Sequence, residues 1–372
     1  LAKYFLQKNT QVYGYDREAS AITKNLTSLG SNHIHNLNDF NINEFKSDID
    51  NTLVIYTPAI SKEHPLLIKF EENEFNVFKR AEVLQKISEN SKCIAVAGTH
   101  GKTTTSAILA HILKVSDLKF CAFVGGIMVN YNSNFLYNGE DYILVEADEF
   151  DRSFLKLNPN YACITSLDSD HLDIYEDSNS LIEAFEQFKN NIVDDGFLIS
   201  YEDVKINSKK YGIIESSDYL AKNITNNKSF SQYDLCFDGG KIENLKLHLQ
   251  GLHNVMNSVA AVSIAIELGI SDKKIVEALS SFKGVERRFS YKIDNETMVL
   301  IDDYAHHPEE IKQVYNTLKL IYPNDNLLVV FQPHLYSRTR DMLDEFAEEL
   351  SKFDAVILLE IYAARELSLI HI

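Results

Sequence analysis

Residues 98–105 read Gly-Thr-His-Gly-Lys-Thr-Thr-Thr, a glycine turn with a lysine and three hydroxyls set between an apolar run, CIAVAG, and a helical pattern. At such a strand-to-helix turn the backbone N–H groups converge, and the positive end of the helix dipole favours an anion. The chemistry indicated is phosphate binding, with Gly98, Thr99, His100 and Gly101 forming the loop. Lys102, expected to be exposed on it, reaches the outer phosphates, and Thr103 or Thr104 ligates magnesium. A generic phosphate loop has four residues between its first glycine and the Gly-Lys pair, whereas this one has two. On these residues alone a glycine turn before a capped helix therefore stays open.

Glu146, Asp148 and Glu149 close the run DYILVEAD, and carboxylate oxygens of this kind suit a hard divalent cation. His171, in Asp-Ser-Asp-His, follows the next apolar run; a single histidine there is by default a surface or core residue. Arg287 and Arg288 read by default as a solvated pair, and Asn254 and Asn257, three apart at a helix start, as capping residues. Arg338, in SRTRD, carries a guanidinium whose fork matches a carboxylate in two hydrogen bonds.

These residues need strands and helices to hold them, and the pattern supplies three α/β blocks. In the first, TQVYGYD, NTLVIYT, a Leu/Ile/Phe-spaced stretch through Phe70 and FNVF alternate as parallel strands and crossovers do. The pattern restarts at Cys93 with CIAVAG and a helix expected over Lys102–Val115, followed by strands at DYILVEAD and YACITS. Their acidic and hydroxyl ends fall at strand carboxyl termini, where open α/β sheets bind ligands. Residues 203–250 turn irregular, with alternating runs such as KLHLQ, and read as an antiparallel appendage. Two helices follow over about 254–282, and then TMVLIDDY, PEEIKQVYNTLKL, NLLVVFQ, TRDMLDEFAEEL and AVILLEI form a third unit. The expected domains are 1–90, 91–284 and 285–372, which accords with a 372-residue chain exceeding one ordinary core.

Composition excludes some classes. A net charge of -18 opposes binding to a nucleic-acid backbone, so a phosphorylated substrate must meet a local cluster of cations. No apolar run reaches bilayer length, and Cys93, Cys121, Cys163 and Cys236 form no C-x-x-C, so reduced thiols in a soluble cytoplasmic protein with no membrane partner are expected.

Taken together, GTHGKTTT, EADE, DSDHLD and HNVMN resemble the ATP-binding centre of the Mur ligases, a superfamily shared with folylpolyglutamate synthases. Within that family DDYAHHP and FQPHLYSRTRD are similar to the alanine-adding member, over roughly residues 1–366. The resemblance implies a three-domain architecture: a Rossmann-like domain for a UDP-sugar, a central P-loop-type ATPase domain and a Rossmann-like domain for the amino acid. It implies ATP and Mg2+, with UDP-N-acetylmuramate and L-alanine joined through an acyl phosphate for cell-wall peptidoglycan. By the same resemblance Glu146 and His171 are metal residues, while Arg288, Asn254 and Asp303 contact the nucleotide. Tyr304, His306 and Arg338 match positions that receive alanine, and Leu335 stands where some relatives carry another arginine. Asp16, Thr57 and Ala59, after two apolar runs, resemble the uridine-diphosphate loops.

Rival expectations are a ligase that recycles muropeptides, which a longer basic insertion after EADE would favour, and a nucleotide-dependent switch. Here SFLKLNPNYACITS passes straight to the next strand. The sequence starts after the family's first glycine-rich loop and ends in LSLIHI, which is not family-like. Truncation at both ends, with weak ligation as its result, is therefore expected.

Overall fold

Short apolar runs of three or four residues make the strands of the first ninety positions, and aromatic side chains fill the space between them. The computed structural model describes residues 1–57, 60–167 and 178–364, and the chain divides into two units, Leu1–Ser91 and Lys92–Ile372. The first contains α1 (Ala2–Gln7), β1 (Tyr13–Tyr15), α2 (Ala21–Ser28), β2 (Asn32–Ile34), β3 (Leu53–Tyr56), α3 (Pro65–Glu72), β4 (Asn76–Lys79) and α4 (Arg80–Ser88). β1 pairs in parallel with β2, and β3 with β4. Ser20 caps α2 by accepting from Thr23 N at 3.2 Å while its own N–H donates to Thr23 Oγ1 at 2.9 Å, which satisfies two helix-end donors at once. Phe40, Phe45, Phe70 and Phe75 meet with ring centroids 5.2–5.9 Å apart, edge-on or stacked as ring quadrupoles prefer. β2 has one apolar residue in three, too little alternation to signal a strand in advance.

The second unit begins with β5 (Lys92–Ala97), α5 (Lys102–Val115), β6 (Phe120–Met128), β7 (Ser133–Tyr137), β8 (Tyr142–Glu146) and β9 (Tyr161–Ile164). It continues with α6 (Ser178–Asn190), β10 (Phe197–Tyr201), β11 (Lys209–Gly212), β12 (Tyr219–Asn226), β13 (Ser231–Phe237) and β14 (Gly240–Leu247). All these strands form one sheet in the order β14-β13-β12-β11-β10-β9-β5-β8-β6-β7. Strands β6 and β8 to β12 run parallel to their inner neighbours, and β7, β13 and β14 add antiparallel edges. Residues 203–250 extend the central sheet, antiparallel at β13 and β14 as the sequence suggested, while β11 and the start of β12 join in parallel. Period-two alternation shows that one face is buried, but not which strand lies alongside. The β6–β7 hairpin carries no clean alternation, and a 3-10 turn, Phe150–Lys156, interrupts the passage from β8 to β9.

β5 lies between β8 and β9, and its residues 93–97 are buried on both faces, which is why CIAVA is continuously apolar. α7 (Leu252–Glu267) and α8 (Asp272–Ser281) join α5 over the sheet, where Ile108, Leu109, Ile112, Val255, Val259 and Val262 are fully buried. Each such side chain contributes roughly 1.5–3 kcal/mol of hydrophobic stabilisation. Between the helices, His111 bonds Tyr131 Oη at 2.6 Å and Ser281 Oγ at 3.0 Å, and burial pushes its pKa down to about 4.

The chain ends with β15 (Ser290–Asp294), β16 (Val299–Asp302), α9 (Pro308–Ile321), β17 (Leu328–Phe331), α10 (Tyr336–Asp341), α11 (Leu343–Leu350) and β18 (Ala355–Leu358). β15 and β16 form an antiparallel hairpin, while β17 and β18 are parallel. Ile311, Leu327, Phe331, Phe346, Leu350 and Phe353 make their core. Cys93, Cys121 and Cys163 are buried free thiols and Cys236 is half-buried and free. Among the described residues no helix is long and apolar enough to cross a membrane.

Candidate active site

Two glycines bend the chain from β5 into α5. Gly98 (φ +130°) and Gly101 (φ +81°) lie in the left-handed region, where a side chain is strained. There is also no room for one: a Cβ at Gly98 would strike Thr165 Oγ1, and one at Gly101 would strike Asn257 Oδ1. The loop is pinned from the β9 side, where Ser166 Oγ accepts from His100 N at 2.8 Å and lies 2.9 Å from Thr99 Oγ1. Gly101 caps α5, so the helix begins with Lys102 and its orphan N–H groups face the loop.

Lys102 is not the exposed loop residue expected. Its side chain is 13% exposed, and its ammonium donates to Gly98 O, to Thr99 O at 3.1 Å and to Glu149 Oε1 at 2.9 Å. Burial, the largest single effect, works to lower its pKa, but Glu149, Asp148 and Glu146 together outweigh it and the pKa is raised. The ammonium therefore stays charged at neutral pH. Thr103 Oγ1 donates to Glu146 Oε1 at 2.8 Å, and Glu146 Oε2 accepts from Gly125 N at 2.6 Å. Of the two threonines left open as metal ligands, Thr103 faces this carboxylate, while Thr104 is buried within α5. His171 and Ala59 lie outside the described residues.

Of the two asparagines, Asn257 is the one against the loop: it abuts Gly101 and accepts from Thr105 Oγ1 at 3.3 Å. The Asn254 amide instead donates to Gln250 O at 2.8 Å. Helix rotation makes this distinction, and three-residue spacing leaves it open.

Arg288 sits between two non-glycine residues in left-handed conformation, Arg287 (φ +59°) and Phe289 (φ +50°). Such conformations cost about 1–3 kcal/mol each and persist where the surroundings over-determine them. Here Asp303 accepts from Phe289 N and Ala305 N, both at 2.7 Å, and fixes the kink. Burial raises the Asp303 pKa against the opposing pull of those N–H groups and of Arg288. The Arg287 and Arg288 guanidinium carbons lie 4.7 and 5.5 Å from the Tyr304 ring centroid, as cation–π pairs do. The His306 ring packs at a tilt on Tyr304 at 4.9 Å and edge-on to His334 at 5.7 Å. Arg338 is buried in α10, one turn after Leu335, itself at φ +71°.

Glu310 and His253 escaped the sequence reading. Glu310 Oε1 lies 3.3 Å from His100 Nδ1 and 3.7 Å from Arg288 Nη1; Oε2 accepts from His306 N at 2.9 Å. Burial would raise its pKa, but the contacts to His100 and His306 hold it well below the usual carboxylate range. His253 is half-buried with its Nδ1 enclosed, and its pKa of about 4 is lowered by desolvation and then by Arg288. In sequence Glu310 is one more acid in a first helical turn, and the available signal was its four-residue spacing from His306.

In the first unit, Asp16 and Thr57 are exposed just past the carboxyl ends of β1 and β3. His35 Nδ1 lies 2.7 Å from Asp16 O.

Family models match almost the whole chain: the Mur ligase family catalytic domain over residues 1–92, the Mur ligase middle domain over 96–265 and the Mur ligase glutamate ligase domain over 287–369. A UDP-N-acetylmuramate–L-alanine ligase of Christiangramia forsetii is 47% identical over 99% of this chain and 81% of its own length. The crystal structure of a UDP-N-acetylmuramate–alanine ligase from Thermotoga maritima superimposes with a TM-score of 0.81 at 29% identity, over 98% of this chain and 83% of that one. A murein peptide ligase from Psychrobacter arcticus shares the fold at 24% identity and a TM-score of 0.72, over 96% and 81% of the two chains. With three Mur ligase family models matched along nearly its full length and a relative 47% identical over 99% of it, the chain belongs to the Mur ligase family.

Proposed function

We propose that the chain ligates L-alanine to UDP-N-acetylmuramate at the expense of ATP, in the cytoplasm, for peptidoglycan precursor synthesis. The observation that carries the reading is the loop 98–102 at the head of α5, with Thr103 bonded to Glu146 beside it, in a chain 47% identical to such a ligase. The proposed division of labour is a UDP-sugar domain over 1–90 with Asp16, Thr57 and Ala59, a nucleotide domain over 91–284, and an amino-acid domain over 285–372.

In the reaction the lactyl carboxylate attacks the γ-phosphorus of ATP, the bond to the β,γ-bridging oxygen breaks, and ADP leaves with that electron pair. The alanine amine then attacks the acyl carbon, phosphate departs, and the amine proton passes to solvent. The protein's part is positioning and charge stabilisation, without a protein nucleophile. The orphan N–H groups at the start of α5 cradle phosphate oxygens, and Lys102, already charged, faces the charge that develops on the transferring group. Arg288, Asn254 and Asp303 are assigned to the nucleotide side; Tyr304, His306 and Arg338 are assigned to the amino acid.

The donors suit Mg2+: a hydroxyl and a carboxylate are hard oxygens, and magnesium takes one or two carboxylates together with phosphates and water rather than a closed protein cage. Thr103 and Glu146 would hold it, with His171 as the family's further residue. When bound it would neutralise phosphate oxygens near the loop.

The test is phosphate release from ATP with each substrate omitted in turn and with glycine and serine as competing acceptors. Release that requires both UDP-N-acetylmuramate and L-alanine is expected. Release with ATP alone would leave a nucleotide switch, and a response to a muropeptide but not to L-alanine would place the chain with the recycling ligases.

A further inference from the structure

Glu310 stands apart from the residues so far given a role, yet its carboxylate touches the groups on both sides of the reaction. Its side chain is 15% exposed, so both oxygens must find partners within the protein. Oε1 faces His100 of the phosphate loop and Arg288 of the kink before β15. Oε2 takes the N–H of His306 at 2.9 Å and lies 3.2 Å from its Nδ1. The His307 ring packs on His100 at 4.8 Å, so the start of α9 and the phosphate loop are in direct contact here. Resting on the ligase reading above, we infer that Glu310 is a positioning residue that couples the phosphate loop to the amino-acid side of the site.

The physical basis is competition for cations. An incoming nucleotide brings negative phosphates to a loop whose nearby basic groups, Arg288 and His100, are already shared with one buried carboxylate. As phosphates draw these two groups away, Oε1 loses partners while Oε2 keeps His306, so Glu310 and the His306 backbone shift as one unit. A carboxylate sharing three basic partners from three segments transmits displacement of any one to the others, which is a coupling free energy between sites. A neutral amide in its place keeps the size but loses the charge that draws the segments together.

The experiment measures kcat and the KM of each substrate for the whole chain, wild type, Glu310→Gln, His100→Ala and the double variant, with urea unfolding as the folding control. Glu310→Gln is expected to raise the KM of ATP and of L-alanine together by about 5- to 20-fold, the lower part of the usual range of a coupling between sites, while that of UDP-N-acetylmuramate changes by less than about twofold. His100→Ala, though it alters only the phosphate loop, is expected to raise the KM of L-alanine, and the double variant to be no worse than the more severe single one. Glu310→Gln effects confined to one substrate, or single effects that multiply in the double variant, overturn the inference. Should Glu310→Gln fail to fold, an unchanged L-alanine KM in His100→Ala overturns it alone. Should the wild type turn nothing over, the ligase reading falls separately, and direct binding of a non-hydrolysable ATP analogue decides the coupling: L-alanine must change its affinity in the wild type and not in Glu310→Gln, and no change in the wild type overturns the inference.

Discussion

Lys102 Nζ lies 2.8 Å from Oε2 of Glu149, a carboxylate with no solvent exposure, and the two are separated by a helix and three strands in sequence. The pair ties the start of α5 to the segment after β8. The lysine neutralises a buried acid, in addition to the charge stabilisation at the phosphates proposed for it.

These duties separate under mutation. Lys102→Ala is expected to abolish ligation and also to destabilise the fold by about 3–5 kcal/mol, the usual cost of leaving one partner of a buried ion pair uncompensated. In Lys102→Met/Glu149→Gln most of that stability should return while ligation stays absent. Urea unfolding alongside ADP formation checks both statements. A Lys102→Ala variant as stable as wild type would show that Glu149 does not depend on this lysine.

Gly101→Ala is expected to impair the loop more than its small size suggests. A left-handed conformation costs an L-residue about 1–2 kcal/mol, and the added Cβ strikes Asn257 Oδ1. Nucleotide affinity should fall with stability, and Asn257→Ala in the same chain should recover part of both. Titration with an ATP analogue reads the outcome, and full affinity in the single variant would remove the steric account.

For Arg338→Lys, the expected outcome is a KM for L-alanine raised roughly 10-fold with that for ATP nearly unchanged, because an ammonium cannot reproduce a two-bond carboxylate fork. The structure adds a control to this test. Arg338 is buried in α10, so unfolding must be measured in parallel. Equal changes in both constants in a folded protein would take Arg338 out of the acceptor site.

Acid should destabilise the second unit through two of its histidines. His111 and His253 titrate near 4 against an ordinary value of 6.5, in both cases chiefly because burial opposes the charged form. Each imidazole thus contributes stability that is complete above pH 6.5 and is lost as the pH falls toward 4, about 3 kcal/mol at most per residue. His111→Gln should flatten that limb of the stability curve. An unaltered slope between pH 6.5 and 4 would show that His111 does not set it.

The bounds of α5 and the course of β5 were legible because both are local: a continuous apolar run, a glycine turn and a hydroxyl-rich helix start lie within two dozen residues. The burial of Lys102 was not, since it depends on Glu149 arriving from beyond β8. Spacing alone did not separate Asn254 from Asn257 and the resemblance favoured Asn254, whereas the rotation of α7 turns Asn257 toward Gly101. Glu310 was hidden in ordinary helix chemistry, because an acid in a first turn already has a reason to be there. Strands β6 and β7 were missed for different reasons: β6 lies between β8 and β7 with residues 120–124 all buried, so it shows no alternation, while β7 is a short strand at the sheet edge.

The place of β5 in the sheet also sets a schedule for the ribosome. Neither of its neighbours is the next strand to be made: the chain must first deliver Phe120–Met128 and Ser133–Tyr137 before Tyr142–Glu146 can pair on one flank, and Tyr161–Ile164 closes the other later still. Throughout that interval this apolar central strand waits with both edges open, the state in which nascent chains associate with one another. The helix that carries the phosphate loop emerges within the same window, and Ser166, which pins the loop, is not yet made. Slow translation between β5 and β9 therefore lengthens exposure of the segment least able to tolerate it, and shielding by a chaperone has most to protect there.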